Sequence, residues 1–131
     1  MCTYLLHSLC TYPLYIEQVQ HEIESAVCVI VQRGLLRKGL GLCHGIAGNL
    51  YPLLEAHTHT HTHTLGIQDT IHNFILCILN HHTLHTHGIL GVGDAEYSLF
   101  EGQAGALVCM VDHIQGMRGI MCEGFPFFSD C

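Results

Sequence analysis

"LCHGIAGNLYPLLEA", residues 42–56, returns at residues 99–113 as "LFEGQAGALVCMVDH". Leu42 aligns with Leu99, Gly45 with Gly102, Ala47 with Ala104, Gly48 with Gly105 and Leu50 with Leu107, a G-x-A-G-x-L frame held at a constant offset of 57 positions. Two copies predict a helical repeat in which each unit opens on a glycine-rich turn. Close packing supplies the reason. Glycine at the mouth of a helix admits unusual backbone dihedrals, and small residues one turn inside let neighbouring helices approach. The spacing therefore predicts an all-α fold, with helices over 46–56 and 103–114.

The residues just ahead of each frame carry the chemistry. Cys43 and His44 are adjacent, and adjacent side chains can share one ion only where the backbone turns, because in a strand they point apart. Taken alone, the pair reads either as two metal ligands on a tight turn or as a core thiol beside an incidental imidazole, since cysteine is among the most buried residue types. Phe100 and Glu101 stand at the corresponding places of the second copy. Glu101 reads as an acid at a helix N-terminus, favoured by the helix dipole. Cys109 falls on the apolar stripe and reads as core.

Upstream, "IEQVQHEIESAVCVIVQ" (16–32) places Ile16, Val19, Ile23, Ala26, Val27 and Ile30 at helical spacing. "RGLLRKGLG" (33–41) then reads as a helix end and a turn. Downstream the character changes. "HTHTHTHT" (57–64) is a strict dipeptide repeat, followed by a second His/Thr cluster in "NHHTLHTHG". Alternating β-branched threonines disfavour a helix. As a strand the tract would line up four histidines able to bind a divalent metal; as a translated CA dinucleotide repeat it is inserted sequence without a fold of its own. The second reading predicts disorder through residue 64, extending towards 94. It divides the chain into an unassigned segment 1–15, a first unit 16–56, a low-complexity His/Thr insert 57–94 and a second unit 95–131.

Composition narrows the classes. Charged residues make up 11% of the chain, and Arg33, Arg37 and Lys38 hold three of its four positive charges within six residues. No extended basic surface exists to neutralise phosphates, so a nucleic-acid partner is excluded. The eight cysteines are irregularly spaced, and "MCTYLLHSLCTYPLY" lacks the basic start of a secretory signal. These features predict reduced thiols in an intracellular protein. "FILCIL" is too short to span a bilayer.

With those residues in view, "RGLLRKGLGLCHGIAGN" resembles the zinc-site segment of the lanthionine synthetase C-like (LanC-like) proteins. "YSLFEGQAG" resembles their final repeat motif, and "GFPFFS" their C-terminal end. Among vertebrate members the third paralogue is nearest. The resemblance implies a partial α/α toroid, the last helical repeats of a seven-fold double helical barrel, and hence a C-terminal piece of such a protein.

The resemblance also implies a site. In the family a Cys-His pair supplies two of three protein ligands to zinc, and Cys43 and His44 match it. The third ligand is a cysteine in an earlier Trp-Cys-x-Gly motif, which this tryptophan-free chain lacks. Three protein ligands leave zinc an open position, where a thiol loses its proton and stays nucleophilic. That thiol is a peptide cysteine or glutathione, added to dehydroamino acids in a peptide. Lys38 matches a family lysine that contacts glutathione or steadies the developing enolate, a catalytic role suited to a cation facing new negative charge. The implied location is the cytoplasm, with peripheral association at the plasma membrane. Two other functions remain open: a non-catalytic glutathione-binding or signalling adaptor, and a truncated product without activity.

Overall fold

Ile46, Ala47, Leu50, Leu53 and Ala56 recur at helical spacing and are all buried, the first four at 1% exposure or less. They form the inner face of the central helix. In the computed structural model, which describes residues 2–59, 66–119 and 125, with side chains from Tyr15 onward except at His59, the elements are α1 (Cys2–Arg33), α2 (Ile46–His59), α3 (Ile67–Leu79), α4 (His81–Thr86) and α5 (Gln103–Met117). No strand occurs among the described residues, so the all-α expectation holds. Both glycine frames stand at helix starts: Gly45 precedes α2 and Gly102 caps α5.

α2 packs against α1, α3 and α5. Phe74, Ile46, Leu50, Leu53 and Cys109 are the largest fully buried side chains, and Phe125 joins the cluster from its margin. Among the described residues no charged or amide side chain is buried. Tyr51 ties α2 to α5, donating a short hydrogen bond from its hydroxyl to the Asp112 carboxylate and meeting Phe125 edge-on at 5.3 Å between ring centroids.

Two expectations need correction. Disorder reaching towards residue 94 is wrong from Gly66 onward: Ile67, Ile71, Phe74 and Ile78 put one apolar face of α3 into the core. That face holds α3 against α2, and the apolar area it buries is what offsets the entropy of ordering the segment, which a His/Thr repeat without such a face cannot supply. His57, Thr58 and His59 are also helical, as the last residues of α2. Extending a helix already nucleated and packed costs little, and Thr58 donates its hydroxyl to the Glu55 carbonyl at 3.0 Å. The rest of the dipeptide tract, from residue 60, lies outside the described residues.

The helix expected over 16–32 is present within α1, but its apolar stripe is only half covered. Val27 is buried and Ile30 partly so, whereas Ile16, Val19 and Ile23 are exposed. No helix among the described residues is long and apolar enough to cross a membrane.

Candidate metal centre

The connection between α1 and α2 is held almost entirely by backbone. Gly34 N–H donates to Ile30 O at 2.7 Å, and Asn49 reaches back from α2 to the Gly34 carbonyl at 2.8 Å. Arg37 donates from Nε to Ile89 O and from a terminal nitrogen to Gly88 O, while its own carbonyl accepts from Gly91 N–H. The chain then reverses at Gly39, whose φ of 142° lies in the region an L side chain rarely adopts.

The first turn of α2 finds its partners in this loop. Ile46, Ala47 and Gly48 donate their N–H groups to the carbonyls of Gly39, Leu40 and Gly41, each seven residues back, at 3.0–3.2 Å. The first N–H groups of a helix have no partner inside it. Here the preceding strand of backbone supplies carbonyls in place of a capping side chain. The second copy repeats the device, with Gln103 N–H on Glu96 O at 2.7 Å, again seven residues back. The glycines permit the approach: a Cβ at Gly48 would fall on the Leu42 carbonyl oxygen, and one at Gly105 on that of Leu99. The two mouths also touch, since Cys43 N–H donates to Phe100 O at 2.9 Å.

Cys43 and His44 sit on the turn that this wrapping produces. Their donor atoms converge, with Cys43 Sγ 2.7 Å from His44 Nδ1. Cys43 is exposed and His44 half-buried, so the reading of Cys43 as a core thiol is set aside. Lys38 is exposed in the turn before Gly39, on the same connection. Glu101 makes no side-chain cap: α5 starts at the Gly102 N-cap without one, and the Glu101 N–H instead donates to the Ser98 hydroxyl at 3.1 Å. The Tyr51–Asp112 bond between the two motif helices had no signature in the sequence, because neither residue lies in the repeated frame.

A thiolate and an imidazole are the donor types zinc prefers, and two ligands of one tetrahedral zinc stand about 3.5 Å apart when the bonds are about 2.3 and 2.0 Å. The pair must therefore open slightly to admit the ion, which an exposed side chain on a turn can do. Among the described residues no group of three His, Cys, Asp or Glu side chains is placed to hold a metal. The fit is to two ligands of a site, not to a complete set.

Cys109 has the opposite character. It is fully buried, with Sγ 3.8 Å from the Ala47 carbonyl, and burial, with a contribution from the nearby Asp112 carboxylate, pushes its thiol up to about 12. The folded thiol keeps its proton between 9.0 and about 12, where the thiol of the unfolded chain has lost its own. Its contribution to stability is thus complete below that window and lost as pH rises through it. Thermal melts through the alkaline range should show stability falling, with a shallower fall in Cys109→Val. Native-state alkylation should label Cys43 and spare Cys109.

The described cysteines Cys28, Cys43, Cys77 and Cys109 are all free thiols. The profile described as lanthionine synthetase C-like protein matches residues 3–121, running through the His/Thr-rich stretch as well as both motifs. The Danio rerio protein named glutathione S-transferase LANCL1 is 40% identical over 103 residues, covering 77% of this chain and 22% of that relative. The chain thus spans about a fifth of the length of this curated relative. No solved structure matches. The profile match covers nearly the whole chain, and the paired glycine frames stand at the helix starts, so the chain belongs to the lanthionine synthetase C-like family.

Proposed function

We propose that Cys43 and His44 are zinc ligands of a thiol-adding centre, working on glutathione or a peptide cysteine and a dehydroamino-acid-containing peptide. The observation that carries this reading is the convergence of Cys43 Sγ and His44 Nδ1 on a glycine-framed turn at the mouth of α2. The name of the 40% identical relative favours glutathione as the thiol. A bound zinc ion makes an incoming thiol easier to deprotonate. The rest falls to the protein. As the new C–S bond forms at the β-carbon of the dehydroamino acid, electrons move towards its carbonyl, and the Lys38 ammonium supplies a cation for that charge. The α-carbon then takes a proton. The setting proposed for this chemistry is the cytoplasm, with peripheral association at the plasma membrane.

Two protein donors hold an ion weakly, and each lost ligand or supporting partner costs roughly 10–100-fold in affinity. Titration with cobalt(II) separates this site from the histidine tract, because only a thiolate gives the near-ultraviolet sulfur-to-cobalt charge-transfer band. Weak cobalt binding with that band is expected in the full chain, weaker by about tenfold or more in Cys43→Ala and in His44→Ala. A band of unchanged strength and affinity in Cys43→Ala would place the thiolate elsewhere and remove the basis of the proposal. A glutathione-binding role without catalysis is the second reading, favoured by the two-donor set among the described residues. It predicts glutathione binding with no adduct on a dehydroalanine peptide by mass spectrometry.

A further inference from the structure

A cavity of about 60 Å³ lies between α4 and the glycine-rich segment that follows it, lined by His81, His82, His85, Leu90, Glu96 and Gln103 among others. It is roomy enough for an ion and accompanying water. Leu40, from the loop ahead of Cys43, lines part of the cavity, but neither Cys43 nor His44 does.

Two of its histidines are held in a particular way. His81 Nδ1 lies 3.0 Å from the Ile78 carbonyl oxygen and His85 Nδ1 lies 3.1 Å from that of Leu90. A carbonyl oxygen can only accept, so each ring donates from Nδ1. In the neutral ring the lone pair then sits on Nε2. A ring N–H held by a backbone carbonyl is the arrangement that orients an imidazole for a metal on its other nitrogen. The two residues are four apart on α4, on one face of the helix, the spacing at which two imidazoles can chelate one ion. Gln103 donates its amide to Glu96 Oε1 at 3.1 Å, so that oxygen is engaged within the protein.

We propose that His81 and His85 form a second metal site, binding a divalent transition cation of the imidazole-preferring kind (copper, nickel or zinc) through their two Nε2 atoms, with water completing the coordination. Affinity should follow the order copper above nickel, with zinc below copper. The site has a structural consequence. His85 is bonded to Leu90, and the backbone around Leu90 is where Arg37 docks, through Gly88, Ile89 and Gly91. An ion clamping α4 would steady the segment on which the start of the zinc-loop connection rests.

Diethylpyrocarbonate footprinting of the full chain with zinc chloride tests this residue by residue, so the dipeptide tract and His44 are read separately. With zinc about tenfold above its dissociation constant, modification of His81 and His85 should slow about tenfold, since only the unliganded fraction reacts. In His81→Asn the asparagine amide can still donate to the Ile78 carbonyl but offers no Nε2. Helicity by circular dichroism should be unchanged, and His85 should lose its protection. His82→Asn should leave protection of both residues intact. Equal modification of His85 with and without zinc overturns the proposal. So does protection that survives in His81→Asn, or that disappears in His82→Asn instead.

Discussion

Replacing Phe74 with alanine is expected to lower the stability of the fold by about 3–5 kcal/mol, a large part of what a domain of this size has. Phe74 is 1% exposed and heads the fully buried side chains. Its ring tip reaches the end of α1, where a Cβ added at Gly34 would stand 3.0 Å from Cζ. The substitution removes an aromatic side chain from the core that α3 shares with α2 and leaves a cavity in close-packed surroundings. Urea denaturation followed by circular dichroism gives the measurement. A loss below about 1 kcal/mol, the scale of a surface change, would mean that α3 is not part of the core.

Gly48→Ala should also destabilise, against its helix propensity. Alanine is favoured over glycine inside a helix by about 1 kcal/mol. At Gly48 the added methyl would fall on the Leu42 carbonyl, a backbone atom that cannot swing aside. Overpacking of this kind costs about 1–3 kcal/mol. The movement has a direction: Leu42 precedes Cys43, and the Gly48 N–H is bonded to Gly41 O at 3.2 Å. Pushing Leu42 outward displaces the turn that brings Sγ and Nδ1 together, so cobalt affinity should fall along with stability. A variant with higher stability and unchanged cobalt binding would show that the loop does not lie on the helix as described. Gly105→Ala repeats the clash at the Leu99 carbonyl and brings its methyl within 2.8 Å of Leu42 Cγ, so it should destabilise as well.

The frame was legible in the sequence because close approach restricts residue type. A Cβ at Gly45, Gly48, Gly102 or Gly105 would run into backbone, so only glycine fits there, and a restriction met twice is visible by alignment. The backbone bonds that wrap each loop onto its helix were not legible, since an N–H on a carbonyl leaves no mark on side-chain identity. α3 was obscured for a different reason. Ile67, Ile71, Phe74 and Ile78 have helical spacing, but they lie between two His/Thr clusters whose composition outweighed the periodicity. The repeat also hides an asymmetry: Leu50 is fully buried, whereas its counterpart Leu107 is 66% exposed. Equal positions in a repeat have equal backbones, and their burial depends on what lies beyond them. Cys43 and His44 could be named from sequence, while their convergence to 2.7 Å needed the three-dimensional turn.

Because carbonyls rather than side chains satisfy the first turn of α2, positions 43 and 44 owe nothing to the folding of the helix they precede. The same socket carries cysteine and histidine in one copy and phenylalanine and glutamate in the other. Such a socket is interchangeable hardware: reactive groups can be installed, exchanged or withdrawn at its rim while the scaffold underneath persists. A lineage that duplicates this unit can therefore explore new chemistry at one rim while another keeps the old one. A designer could do the same, grafting ligand pairs onto Phe100 and Glu101 with the backbone already in place.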